Sequence, residues 1–208
     1  RIETRLGHLF ESRNFIVLAN QHPDPVVYPD VGEIDLICAR DNLMLVIEVK
    51  SSFMRRTERE AWLHGTNTLR KAGQQLRRKI DAMMQLLQCD TDLIDTLSLK
   101  PGWAIHGLIA DTSIELDHDR FSGFLKISIE ELIIALRDDR QWLTDPDGIL
   151  RLPSDGRKME KSDGHPHETL YPDGFNASRF LDVLENELVW QDTLVNDPSP
   201  DTVGMGLV

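Results

Sequence analysis

The 208-residue chain is poor in cysteine, in long apolar runs and, at first count, in positive charge. Its two cysteines, Cys38 and Cys89, are too few for a disulfide framework or a four-ligand zinc site, which suits a reducing, cytoplasmic setting. No apolar run approaches the roughly 20 residues that a membrane span needs, so no membrane partner is expected. Nor is there an internal repeat. The opening RIETRLGHLF has neither an initiator Met nor the apolar region of a signal peptide, which is compatible with a piece of a longer, multi-domain protein. What remains, 40% hydrophobic and 28% charged, is an ordinary globular composition, long enough for one full core with or without a small appendage.

Acidic residues outnumber basic ones by 35 to 23, for a net charge of -12, and spread evenly that charge would repel a polyanion. The spread is uneven. Between Lys50 and Ile80, nine basic residues stand against two acidic ones, a net of +7 that leaves -19 for the rest of the chain. Such segregation marks a candidate nucleic-acid face on an acidic protein; a helix made basic for solubility is the plainer account of the same residues.

RIETRLGHLFESRNF spaces Ile2, Leu6, Leu9 and Phe10 along one face of a helix, and NFIVLAN follows as a short strand. After the proline-rich loop QHPDPVVYPDVG, the runs EIDLICA and LMLVIEVK flank the turn residues RDN, which predicts a hairpin. A long helix is expected from about Thr57 to Gln88, with Leu69, Ala72, Leu76, Ile80, Met83 and Leu87 as its buried stripe and Gly65 as an early interruption. WAIHGLIAD reads as another buried strand, and SIEELIIALRDD opens with Ser128 three residues before Glu131, a capping-box pattern. The order is helix, three strands, helix, strand, helix. Beyond Arg140 the chain reads as loops rich in Gly, Pro and Asp, then NASRFLDVLENELVW as a helix capped by Asn176 or Ser178, then a frayed tail. This divides the chain into a core over residues 1–140 and an acidic, loop-rich extension over 141–208 with one helix.

The chemistry concentrates in GEIDLICARDNLMLVIEVKSS. Side chains alternate across a strand, so Glu48 and Lys50 share one face while Val49 takes the other. The hairpin brings Asp35 beside Glu48, with Ile34 and Leu36 facing the opposite side. Two carboxylates near a low-dielectric core repel unless a cation lies between them. A hard divalent ion with oxygen donors resolves the conflict, and magnesium suits a site of a few carboxylates, a backbone carbonyl and waters. On this reading, removing either carboxylate relieves repulsion and leaves the fold intact.

Asp35 followed by Glu48, Val49 and Lys50 resembles the PD-(D/E)xK nuclease superfamily, and the stretch is particularly similar to its Holliday junction resolvase-like and Mrr-like branches. The resemblance covers roughly residues 1–110. It implies a three-layer α/β, restriction-endonuclease-like core and a magnesium-dependent endonuclease in which manganese substitutes. Asp35, Glu48 and the Val49 backbone carbonyl would bind the metal, and Lys50 would orient or activate water. Related nucleases often add a glutamate on the first helix, for which Glu3 is preferred to Glu11. Many branches carry a glutamine on the helix after the lysine. Of the two in KAGQQLRRK, Gln75 lies at the margin of the buried stripe and Gln74 nearly opposite, so Gln75 is the candidate.

Lys71 and Lys79 flank Gln75 on the same side of that helix, and with Arg55 and Arg56 they form the candidate nucleic-acid edge. Trp62, near the basic run, is the candidate base-stacking residue, while Trp103, Trp142 and Trp190 read as core or lid. His106 reads as a core histidine, and His165 and His167 in HPHE lack the companions a metal site needs. The expected function is hydrolysis of phosphodiester bonds, in DNA, for repair, recombination or defence, by a homodimer or as part of a larger multi-domain protein. The alternative is a catalytically silent nuclease-fold module that binds nucleic acid or a partner protein.

Overall fold

The computed structural model describes residues 2–51, 55–139 and 169–191. In chain order it comprises α1 (Ile2–Ser12), β1 (Ile16–Gln21), β2 (Ile34–Arg40), β3 (Leu43–Lys50), α2 (Glu58–Leu63), a π-helical turn (His64–Leu69), α3 (Arg70–Cys89), α4 (Thr91–Thr96), β4 (Ala104–Asp111), β5 (Arg120–Phe121), β6 (Phe124–Ser128), α5 (Ile129–Arg137) and α6 (Ala177–Glu185). The strands form one mixed sheet in the order β1-β2-β3-β4-β6-β5. β1, β2 and β3 pair antiparallel, β3, β4 and β6 pair parallel, and β5 closes back on β6. Among the described residues no helix is long and apolar enough to cross a membrane.

The central strand explains why LMLVI is apolar without alternation: β3 is covered on both faces, as strands with parallel neighbours usually are. Leu43, Leu45, Ile47 and Val49 pack into a cluster with α1, α5 and α6, while Met44 and Val46 pack with Leu69, Ala72, Leu76, Ile80 and Met83 of the helix on the other face. Each such side chain contributes about 1.5–3 kcal/mol by leaving water, so β3 is held from both sides. The result is three layers, helices on both faces of a sheet.

The long helix spans residues 58–89, close to the expected range, and Gly65 interrupts it early, within the π-helical turn between α2 and α3. Other expectations are corrected. The β5–β6 hairpin and α4 lie outside the expected order; Ser122 and Gly123, both at positive φ, make the turn between two very short strand ends. Ser128 Oγ accepts from the Glu131 N–H at 3.3 Å, but the Glu131 carboxylate does not complete the box. It turns inward to His118 Nε2 (2.9 Å) and Trp190 Nε1 (2.7 Å). α6 is not an appendage either: Phe180, Val183 and Leu184 belong to the same cluster as Phe10, Phe15 and Leu136. Asp41 Oδ2, in the β2–β3 turn, accepts from the Ala177 N–H at 3.0 Å, and Phe175 lies between the Arg13 and Arg40 guanidinium groups at 4.9 and 5.0 Å. The loop over 141–168, with Trp142 and HPHE, and the tail beyond 191 lie outside the described residues.

Candidate active site

The β2–β3 turn sets the site. Asp41 and Asn42 both take positive φ (52° and 63°), the signature of a two-residue type I′ turn whose twist matches the strands it joins. That turn imposes the register Arg40↔Leu43 through Leu36↔Ile47, and one step further along the same ladder places Asp35 across from Glu48. Leu36 faces away from the site as expected, but Ile34 packs on the α3 side with Ile37. Val49 donates its N–H to Asp35 Oδ2 at 2.7 Å, which ties the carboxylate to the end of β3.

Glu48 and Lys50 point to the α3 face. Lys50 Nζ donates to Glu48 Oε1 at 2.6 Å and to Gln75 Oε1 at 3.3 Å, so Gln75 is brought to the site while Gln74 is exposed. The cation between the two carboxylates is an ammonium of the protein itself. Lys79 Nζ bonds Glu48 Oε2 and lies 3.5 Å from Asp35 Oδ1. Lys79 is 3% exposed and Glu48 2%, so this is a buried ion pair. Placing Lys79 on a nucleic-acid edge is therefore wrong. It lies seven residues after Ala72 and seven before Leu86, between Leu76 and Met83, on the helix face turned to the sheet. Burial pushes the Asp35 carboxyl above its ordinary range and the Glu48 charge adds to the rise, against the opposing pull of Lys79, the Val49 N–H and Lys50.

Glu3 opens α1 and lines an open cleft of about 390 Å³ together with Ile2, Asn20, Glu33, Asp35 and Ser51. Glu11, the other candidate, is exposed and bonded to His8 at 3.1 Å. Asn20, in the left-handed region (φ 51°), interrupts β1 where the strand would pass Asp35, between the pairs Ala19↔Leu36 and Gln21↔Ile34. Asparagine tolerates that conformation better than most residues, and Asn20 lines the cleft beside the carboxylate. Nothing in the sequence singled Asn20 out.

A hard divalent cation asks for clustered oxygen donors. Asp35 and Glu48 supply carboxylates that already converge on one cationic group, the Val49 carbonyl belongs to the residue that anchors Asp35, and Glu3 lines the adjoining cleft. The donor type fits. No set of three acidic, His or Cys side chains is close enough to form a ready-made cluster among the described residues, and the Lys79 ammonium holds the position between the carboxylates.

Of the candidate nucleic-acid residues, Arg56 and Lys71 are exposed, whereas Arg55 is mostly covered and pairs with Glu115 at 3.3 Å. Trp62 is 64% exposed on α2; Trp103 and Trp190 pack against the core clusters. His106 is exposed, not core, because the first half of β4 emerges from under the helices. A buried group that sequence reasoning missed lies next to Lys50: Asp111, its register partner on β4, receives His64 at 2.6 Å and Ser113 Oγ at 2.8 Å. That contact pins the π-helical turn, and with it the start of α3, to the strand ends that carry the site. No family model, curated protein or solved structure gives a significant match to this chain.

Proposed function

We propose that this chain is a metal-dependent nuclease of the PD-(D/E)xK type that hydrolyses phosphodiester bonds in DNA. The observation that carries the reading is the convergence, at one end of β2 and β3, of Asp35, Glu48, Lys50 and Gln75 beside an open cleft. A divalent cation, when bound, supplies Lewis-acid polarisation of the phosphodiester and charge to favour an attacking water. The protein's own groups supply the rest. Val49 N–H and the strand ends hold the carboxylates in place, and Lys50 presents a positive charge where a phosphate oxygen gains charge in the transition state. Gln75 orients Lys50 by accepting a hydrogen bond from its ammonium group. Arg56 and Lys71 position the backbone of the nucleic acid without reading its sequence.

The test is cleavage of plasmid, linear, single-stranded and branched DNA with Mg2+ or Mn2+, comparing the wild type with Asp35→Asn and Lys50→Met. Cleavage abolished in both variants, with the far-UV spectrum unchanged, supports the reading. Near-normal turnover in either variant refutes the site. A second reading, a silent module on the same fold, is favoured by Lys79, which together with Lys50 already neutralises the two carboxylates. Binding of DNA with no cleavage under any metal would select it.

A further inference from the structure

The two carboxylates are matched one for one by ammonium groups from different elements. Lys50 reaches Glu48 from the end of β3 on the half-exposed side, shared with Gln75. Lys79 reaches Glu48 and Asp35 from inside, out of the apolar stripe of α3. A lysine is strongly disfavoured in such a stripe unless its charge is paired, so its presence there calls for an account that a solvated helix face does not provide.

We propose that Lys79 is a built-in counter-ion: it holds the cation position between Asp35 and Glu48 in the metal-free protein and withdraws when a divalent cation binds. The metallonuclease reading above is used only to identify the incoming ion. Charge sets the order of events. With Lys79 in place the four groups are neutral, and a divalent ion added to them would leave two uncompensated positive charges in a largely buried site. With Lys79 withdrawn, the ion, Lys50 and the two carboxylates leave a single positive charge, which the one negative charge of a phosphodiester matches. The flexible four-carbon stem of lysine allows the ammonium to move without moving α3. Metal affinity is therefore set by competition with a residue of the chain, and the site stays charge-balanced and folded when metal is scarce.

The experiment is calorimetric titration of Mg2+ and Mn2+ into the full chain and into Lys79→Met. The variant should bind about tenfold more tightly or better, since it no longer opposes the ion, and its thermal midpoint should rise more with metal than the wild type's does. Arg78→Met, which removes an exposed cation from the same helix, should change affinity by less than about twofold, because exposed charges are screened. Should Lys79→Met fail to fold, lysine acylation of the wild type followed by mass spectrometry gives the same information. Lys79 should be protected in chelator and labelled once Mg2+ is added, while Lys71 is labelled in both. Equal or weaker metal binding by Lys79→Met, or labelling of Lys79 that ignores metal, overturns the proposal. The two readings fail separately: tighter metal binding by the variant without cleavage in either protein sinks the nuclease and keeps the counter-ion. Cleavage by a wild type whose metal affinity Lys79→Met leaves unchanged does the reverse. No divalent binding by either protein sinks both.

Discussion

Glu48→Ala tests the buried pair directly, and the structure reverses the outcome that charge repulsion alone would suggest. Seen only as one of two adjacent carboxylates, Glu48 should be removable at no cost to the fold. In place, it is the principal partner of Lys79, and both side chains are nearly inaccessible to water. Removing it leaves an ammonium in the apolar stripe of α3 with only Asp35 nearby, 3.5 Å away. Breaking a buried ion pair by deleting one member costs about 3–5 kcal/mol; the remaining Asp35 places this case near the lower end, about 3 kcal/mol. That is roughly a 150-fold rise in the unfolded-to-folded ratio, large against the 5–15 kcal/mol of a typical domain. The double variant Glu48→Ala/Lys79→Met removes both charges and should recover most of the loss, because an apolar replacement for a whole buried pair is often neutral. Urea denaturation at neutral pH in the presence of chelator measures all the corners of this cycle. A loss below about 1 kcal/mol in Glu48→Ala, or a double variant no more stable than the single one, would show that Lys79 is not held as described.

Three further outcomes follow from particular contacts. Gly73→Ala should lower stability by about 1–3 kcal/mol in thermal unfolding although alanine favours helices, because the new Cβ would clash with the Phe121 carbonyl oxygen, a backbone atom that cannot swing aside; a stabilised variant would mean that α3 and β5 do not meet there. Burial holds the Glu131 carboxyl above its ordinary range, aided by the Asp117 charge and opposed by Trp190 and His118. The folded protein thus keeps a proton that the unfolded chain has lost, so stability falls as pH rises from the ordinary carboxylate value of 4.5 through the raised one, and Glu131→Gln should flatten that fall in urea titrations at several pH values. An undiminished fall would assign it to other carboxyls. Neutralising Arg56 and Lys71 together should reduce the slope of log K for DNA against log salt by about two at most, measured with Ca2+, at about 0.9 per phosphate contact. An unchanged slope would make the basic stretch a solvated face.

What could be read from the chain alone about this protein was what depends on neighbours in sequence. The period of two along LMLVIEVK puts Glu48 and Lys50 on one face, and the turn residues RDN predict the hairpin that brings Asp35 beside Glu48; that Arg40 still pairs with Leu43 and the turn is Asp41–Asn42 alone, which sets the register, is seen only in the structure. The helical period likewise separates Gln75 from Gln74. Lys79 was legible in part: it stands in the stripe between Leu76 and Met83, but a lysine is ordinarily assigned to water, and only the packing of α3 across the β2–β3 hairpin gives its charge two carboxylates to meet. The same holds for Glu131, whose partner Trp190 is 59 residues away, and for Asp111, which His64 reaches from 47 residues away. Local rules fix which way a side chain leaves its own strand or helix. Which charge it then faces is decided by how the layers stack, because burial makes an unpaired charge so costly that partners are found wherever the fold brings them.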